Sequence, residues 1–143
     1  MAELRLESLI DEPREVCFAL LRDPAVLTDA TVSGPFSLGQ IITFQSRWLG
    51  RKQNLKVKVV KFDPPSGFVD EMTEGKLQSF IHIHELEDFG GATRLVDIVR
   101  WSSPFGILGK IFDELVLRRR IRRIVTERNA MLVHVASVAR TGM

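Results

Sequence analysis

Two alternating segments joined by Gly90-Gly91 constrain the fold of this chain more than any other part of its sequence. Polar and apolar residues alternate on both sides of the glycines, which is typical of strands with one buried face. A Gly-Gly pair between two such strands predicts a β-hairpin with a two-residue loop. If the two glycines form the loop, Phe89 pairs with Ala92, and counting back places His84 opposite Asp97.

This register sorts the side chains of the hairpin onto two faces. Five of the eight residues on one face are large and apolar, so this face is predicted to point inward. The eight residues are Phe80, His82, His84, Leu86, Leu95, Asp97, Val99 and Trp101. The other face is apolar in its centre and ends in charges, with Glu87 opposite Arg94, as expected of a solvent-facing side. The sequence therefore predicts two imidazoles and a carboxylate within an apolar layer, where they must be paired.

The rest of the chain predicts one domain over residues 1–143, because no repeat, low-complexity tract or linker divides it. A chain of this length buries roughly two-thirds of the surface that it exposes when unfolded. A first strand over 4–9 precedes a helix that opens near Pro13, and a second short helix starts near Pro24. Five strands follow, at about 39–48, 52–62, 68–74, 77–87 and 92–101. Their short connections predict an antiparallel meander.

Residues 107–139 predict a C-terminal helix whose apolar stripe is interrupted. Leu108, Ile111, Phe112 and Leu115 share one helical face. The later apolar residues fall on nearly the opposite face, and they are Leu117, Ile121, Ile124, Met131, Val135 and Val138. The stripe jumps by about half a turn near Val116. We therefore predict a short helix, a bend, and a long helix that packs on the sheet of an α+β domain.

Composition narrows the classes of function. The net charge is only +2, and the basic excess is concentrated in one run, 118–123. We interpret this run as a solvated helix face partly paired with Glu114 and Glu127; it matches no nucleic-acid recognition motif, so no nucleic-acid partner is predicted. The longest apolar runs are far shorter than the ~20 residues that span a bilayer, so no stable membrane insertion is predicted. The N-terminus is unlike a signal peptide, and a cytoplasmic location is expected.

Cys17 is the only cysteine, which excludes an intramolecular disulfide and a cysteine-based metal cluster. It lies in an apolar helical run, and free cysteines are commonly buried, so we interpret it as part of the core.

Several short motifs, in this order along the chain, resemble the START-like (SRPBCC) helix-grip superfamily. The likeness is greatest to its small bacterial members of the polyketide cyclase/dehydrase-like type, and it covers essentially the whole chain. The motifs are Pro13-Arg14-Glu15-Val16, Arg22-Asp23-Pro24, Phe62-Asp63-Pro64-Pro65, Phe68-Val69-Asp70-Glu71, His82-Ile83-His84, Gly91-Ala92-Thr93-Arg94-Leu95-Val96-Asp97 and Pro104-Phe105-Gly106. The resemblance implies a curved antiparallel β-sheet wrapped around a long C-terminal α-helix, with two short helices after the first strand. It also implies a deep cavity for an apolar ligand.

We predict that polar groups of the inner face hold the polar end of a hydrophobic molecule whose body lies against apolar side chains. The predicted ligand-binding residues are Phe68, Asp70, Met72, Phe80, His82, His84, Asp97 and Trp101. Within this set His84 and Asp97 are expected to form a buried cross-strand hydrogen bond, because opposed Cβ atoms lie about 5 Å apart. The two histidines, with Asp97 and Asp70, also match the ligand types of a zinc site. Mutual pairing satisfies these side chains without an ion, and neither a metal nor a cofactor is predicted.

Three interpretations of function follow from the sequence. The first is binding of a small hydrophobic molecule, lipid-, sterol- or polyketide-like, in an internal cavity between the sheet and the C-terminal helix. The second is an enzyme of the cyclase/aromatase type that uses His82 or His84 with Asp97, since an imidazole oriented by a carboxylate is also a general base. The third is a homodimer that pairs through the apolar centre of the outer sheet face. That centre consists of Ile81, Ile83, Val96 and Ile98.

Overall fold

The computed structural model describes residues 1–23, 30, 31, 36–48 and 51–140. Within these residues a seven-stranded antiparallel sheet curves around a long C-terminal helix. The elements are β1 Ala2–Ile10, α1 Arg14–Leu21, β2 Ala30–Thr31, β3 Ile41–Trp48, β4 Arg51–Asp63, β5 Gly67–Glu74, β6 Ser79–Phe89, β7 Ala92–Ser102, α2 Gly106–Phe112, a π-helical turn Asp113–Leu117 and α3 Arg118–Arg140. The predicted α+β architecture is confirmed. The second short helix predicted near Pro24 lies outside the described residues.

The strands follow one another across the sheet in the order β1-β7-β6-β5-β4-β3-β2. The segment from β3 to β7 is therefore the predicted meander, and each of its strands begins and ends within two residues of the predicted bounds. β1 returns to the far edge of the sheet and pairs with β7. This arrangement places β5, β6 and β7 side by side, so their inner faces present one continuous surface to α3.

The predicted hairpin register is confirmed along the whole of β6 and β7. Phe89 pairs with Ala92, His84 with Asp97, and Phe80 with Trp101. Both loop glycines have positive φ angles, 65° and 92°, which glycine adopts without the steric cost that a Cβ atom would impose.

The two faces of the hairpin differ less in burial than the alternation predicts. The inner face is buried as expected at Leu86, Leu95, Val99 and Trp101. On the outer face, however, Val96 is 0% exposed and Ile98 is also buried. Glu7 and Glu85 flank Val96 on the neighbouring strands, and the aliphatic stems of such side chains cover apolar neighbours. The apolar centre of this face is therefore largely covered, contrary to the expected open patch.

The interruption in the C-terminal stripe is the π-helical turn between α2 and α3. The helix continues without a break through this turn, and its buried positions follow one another every four residues at Gly109, Asp113, Leu117 and Ile121. Most of the first predicted stripe is exposed, so the jump near Val116 separates an exposed apolar stripe from the buried one. The exposed members are Leu108, Ile111 and Leu115. No helix among the described residues is long and apolar enough to cross a membrane.

The buried face of α3 differs in detail from the predicted stripe. It contains Ile121, Val125, Arg128 and Leu132, spaced as successive turns of one helical face. Ile124 and Val138, which were predicted on the packed face, are exposed, while Met131 and Val135 are partly buried against the core.

Candidate functional site

A cluster of six polar side chains lies between the inner sheet face and α3. We call it the polar cluster, and it consists of Asp70 on β5, His82 and His84 on β6, Asp97 on β7, and Arg128 and Asn129 on α3. Five of the six are buried, and His82 keeps 12% of its side-chain surface. The strand register accounts for the convergence, because residues of one parity share a face: Asp70 pairs with His82, and His84 pairs with Asp97.

The hydrogen bonds of the two histidines correct the predicted pairing. Nε2 of His82 lies 2.8 Å from Oδ1 of Asp97, its diagonal neighbour across the hairpin. Nε2 of His84 lies 3.0 Å from Oδ2 of Asp70 on the other adjacent strand. His84 and Asp97 are opposed in the register, as predicted, but Nδ1 of His84 is 3.4 Å from Oδ1 of Asp97. The predicted His84–Asp97 pair is therefore retained only as a longer contact, and the shorter bonds join His82 to Asp97 and His84 to Asp70.

The helix α3 supplies the remaining partners of Asp97, which has no exposed surface. Nη2 of Arg128 donates to its Oδ1 at 2.5 Å, and Nδ2 of Asn129 donates to its Oδ2 at 2.9 Å. Burial alone would raise the pKa of Asp97, but the charge of Arg128 and hydrogen bonds from the histidines outweigh it. The pKa of Asp97 therefore lies well below its ordinary value, and the carboxylate is ionised at neutral pH.

His82 is the neutral member of the cluster. Burial, followed by the charge of His84, lowers the pKa of His82 to about 4, although Asp97 opposes this shift. Because ionised Asp97 can only accept, the neutral ring donates from Nε2 and leaves Nδ1 as an acceptor. Nδ1 has no hydrogen-bond partner within the described part of the chain.

His84 occupies the centre of the cluster. Its ring stacks between Phe68, at 4.2 Å between centroids, and His82, at 3.8 Å. Burial opposes protonation, but hydrogen bonds to Asp70 and Asp97 outweigh it and raise the pKa of His84. Nδ1 also lies 3.1 Å from Nη1 of Arg128. The neutral ring accepts from Arg128 there, whereas the protonated ring donates toward Asp97.

The polar cluster also contains the ligand types of a metal site. Asp70, His82 and His84 each place one ligand atom within 4.8 Å of the others. The Nε2 atoms of both rings are engaged with carboxylates, and the guanidinium of Arg128 adds positive charge beside His84. Structural zinc takes four ligands, and Asp97 binds Arg128 and Asn129 instead of completing the set. The geometry thus favours mutual pairing, and the lack of a metal stays a prediction.

The predicted apolar ligand contacts separate into two groups. Phe68 and Trp101 are fully packed: Phe68 meets Phe18 and Phe36 edge to face, and the guanidinium of Arg118 lies 5.6 Å above the Trp101 ring. Met72 and Phe80 are only partly buried, as are Phe44 and Leu55 on the same inner side. We call Phe44, Leu55, Met72 and Phe80 the inner apolar surface.

Arg128 and Asn129 were not predicted as site residues. The signal for Arg128 was present, because it lies on the stripe that also contains Ile121, Val125 and Leu132. A cation on the buried stripe of a helix needs a buried anion opposite it, and Asp97 is that anion.

Comparisons with known proteins show the fold. No protein-family model and no curated protein matches the chain. Among solved structures, the protein TTHA0849 from Thermus thermophilus is 16% identical, with a TM-score of 0.74 over 94% of this chain and 99% of that chain. The ginseng major latex-like protein 151 from Panax ginseng is 11% identical, with a TM-score of 0.68 over 93% and 95%. The KanY protein (ms6282) is 17% identical, with a TM-score of 0.74 over 96% and 99%. These structures share the helix-grip fold, and the fold that the resemblance implied is therefore confirmed.

Proposed function

We propose that the protein binds a small hydrophobic molecule between the inner sheet face and α3, with the polar end of that molecule at His82. The observation that supports this most is a contrast within the polar cluster. Asp97, His84 and Arg128 are buried and bonded to one another, whereas His82 retains accessible surface and an acceptor atom without a partner in the described chain. A polar group of this kind beside an apolar surface is typical of small-molecule sites.

The chemistry of His82 selects the polar end of the ligand. Its neutral ring offers a lone pair at Nδ1, so the complementary group is a hydroxyl or N–H donor. Oδ1 of Asp70 is a second acceptor, because it is buried and has no hydrogen-bond partner in the part of the chain that the structure describes. A ligand carboxylate would meet acceptors and two acidic side chains. We therefore infer a neutral ligand with a donor, such as a lipid-, sterol- or polyketide-like alcohol.

The inner apolar surface provides the place for the body of the ligand. Phe44, Leu55, Met72 and Phe80 lie on the concave side of the sheet, yet none of them is fully buried. They are surrounded by residues such as Val57 and Ile42 that are completely buried. Apolar side chains that stay accessible on the core side of a sheet are suited to contact an apolar molecule.

The geometry favours binding over acid–base catalysis. A general base works best when its pKa lies near the operating pH. The pKa of His82 is about 4, so it accepts a proton poorly at neutral pH. His84 has the raised pKa, but its ring is buried and both nitrogens face partners. A cytoplasmic location, the absence of a nucleic-acid partner and homodimer formation stay predictions.

The test compares three probes with one chain length: dodecanol, dodecyl methyl ether and dodecanoate. Binding is measured by isothermal titration calorimetry to the wild-type chain and to His82→Phe, with His134→Phe as the control because His134 is exposed on α3. Loss of one hydrogen bond should weaken dodecanol binding to His82→Phe by about 5- to 30-fold, whereas binding of dodecyl methyl ether should stay unchanged. Comparing two probes on one variant removes any general effect on stability.

Two results would contradict the proposal. If none of the three probes binds the wild-type chain, the inner apolar surface is not a ligand site for molecules of this type. If dodecanol binds both variants equally, His82 does not hold the polar end. A Met72→Ser variant supplies the complementary check, because it should weaken the binding of dodecanol and of dodecyl methyl ether by a similar factor.

A further inference from the structure

A stripe of large apolar side chains at the N-terminal end of α2, along α2 and on the π turn faces solvent. Phe105 is 76% exposed, Ile107 78%, Leu108 75%, Ile111 50% and Leu115 67%. Single exposed apolar residues are ordinary on protein surfaces, but contiguous ones mark interaction sites. Ile107, Ile111 and Leu115 are spaced by four residues, so they lie along one side of the helix.

The outward direction of this stripe is built into the fold. The opposite side of α2 is anchored to the end of β7. A Cβ atom on Gly109 would lie 3.1 Å from Cβ of Ser103, and the hydroxyl of Ser103 donates to buried Asp113. The buried positions continue from Gly109 and Asp113 to Leu117 and Ile121 at intervals of four residues, so one side of the helix packs inward while the stripe lies on the other side.

The same surface concentrates positive charge. Residues 105–123 contain six basic and two acidic side chains, a net charge of +4, whereas the whole chain carries +2. Of the two acids, Asp113 is buried and Glu114 pairs with Arg118. Arg119, Arg122 and Arg123 are exposed, and no ion pair engages them among the described residues. Glu127, predicted as a partner of the run, also forms none there.

We propose that this surface docks the protein on an anionic lipid bilayer. We call it the docking face: Phe105, Ile107, Leu108, Ile111 and Leu115 with Arg119, Arg122 and Arg123. Arg119 and Arg123 follow Leu115 by four and eight residues, so the cations continue the stripe on the outer side. Apolar side chains beside unpaired arginines match an interface whose apolar layer lies under anionic headgroups. Such docking is peripheral and requires no spanning helix.

A bilayer fits these features better than a protein groove does. A groove would have to supply an apolar floor and an acidic rim in one fixed geometry. Anionic lipids supply both over a continuous surface and adapt to the side chains. The proposal does not depend on the identity of the molecule bound at the inner apolar surface, because the docking face lies outside the polar cluster.

The test is co-sedimentation of the full chain with vesicles of phosphatidylcholine alone and with vesicles that contain about one-third phosphatidylglycerol. The wild-type chain should bind the anionic vesicles at least 10-fold more tightly at about 0.1 M salt, and more weakly at about 1 M, where charges are screened beyond ~3 Å. An Ile107→Ser/Leu108→Ser variant should bind the anionic vesicles at least 10-fold more weakly than the wild-type chain. Arg119→Gln/Arg123→Gln should bind them about 10- to 30-fold more weakly, since each basic residue near an anionic membrane surface contributes about 1 kcal/mol to binding.

Matched controls lie elsewhere on the surface. Leu9→Ser/Leu38→Ser removes two apolar residues that are also mostly exposed, at 62% and 66%, and Lys61→Gln/Lys76→Gln removes two exposed charges. Both controls should bind like the wild-type chain. Equal binding of all variants, or no binding to the anionic vesicles, would overturn the proposal. A third outcome would also overturn it: the wild-type chain forms a dimer in sedimentation velocity, Ile107→Ser/Leu108→Ser abolishes that dimer, and neither chain binds vesicles. The docking face would then pair with a second copy of the chain.

Discussion

Replacement of Arg128 by methionine should be among the most destabilising single changes on the surface of α3 that faces the sheet. The substitution keeps an unbranched side chain of similar length but removes the guanidinium that donates to Asp97 at 2.5 Å. Asp97 is 0% exposed and would keep the donors of His82 and Asn129, with Nδ1 of His84 at 3.4 Å. Removal of one partner from a buried ion pair typically costs about 3–5 kcal/mol, because the remaining charge stays buried without compensation.

The magnitude can be measured by urea and thermal unfolding at pH 7. For a chain of this size 1 kcal/mol corresponds to a shift in Tm of about 3–5 °C, so Arg128→Met should melt at least about 10 °C below the wild-type chain. Arg123→Met is the matched control on the same helix, because Arg123 is exposed and its loss should change stability by less than about 0.5 kcal/mol.

A double variant isolates the charge from the packing. Asp97→Asn removes the anion, so Arg128→Met should cost much less in that background than in the wild-type chain. The stability of Arg128→Met should also approach that of the wild-type chain as the pH falls. In the wild-type chain the pKa of Asp97 is held below its unfolded value, so its contribution to stability is present above that value. Without Arg128 the largest cause that lowers the pKa of Asp97 is lost, so protonation of Asp97 at low pH should cost Arg128→Met less stability than it costs the wild-type chain.

Two results would refute this reasoning. A loss below about 1 kcal/mol for Arg128→Met would mean that Asp97 is satisfied without the guanidinium. An equal loss in the Asp97→Asn background would mean that the effect arises from packing of the side chain rather than from the ion pair.

Three further predictions concern His82 and Gly67. In a titration followed by NMR, His82 should show a pKa of about 4, because its ring is largely buried. The pKa of His82 in the unfolded chain is higher, near 6.5, so between pH 4 and 6.5 the unfolded chain binds more protons than the folded chain. The stability advantage of the wild-type chain over His82→Gln should therefore fall by about 3 kcal/mol from pH 7 to below pH 4. Urea unfolding at both pH values measures this difference. Gly67→Ala should destabilise by more than about 2 kcal/mol, because its Cβ would lie 2.0 Å from the carbonyl oxygen of His84 on a backbone with φ 150°. Gly90→Ala is the control, since its Cβ would meet nothing within 4 Å and only its φ of 65° opposes the change; similar losses for both glycines would contradict the steric argument.

The backbone arrangement of this protein was largely predictable from its sequence. Alternation with a period of two places side chains on faces, and the glycine pair places the turn, so the pairing of His84 with Asp97 followed by counting. The break in the apolar stripe near Val116 was likewise visible in the helical spacing, and a π turn lies at this position. These features depend on neighbours along the chain or on one adjacent strand, which is why a pattern can reveal them.

The partners within the candidate site were decided by tertiary structure. Asp97 lies closer to His82, at 2.8 Å, than to the directly opposed His84, at 3.4 Å, while Nδ1 of His84 also lies against Arg128, 44 positions further along the chain. Val96 is buried on a face that alternation assigns to solvent, and Glu7 and Glu85 lie opposite it on the two neighbouring strands. A strand pattern determines which face a side chain is on. Which donor meets which acceptor depends on the rotamers and on how α3 packs across the sheet, and only the folded chain brings those groups together.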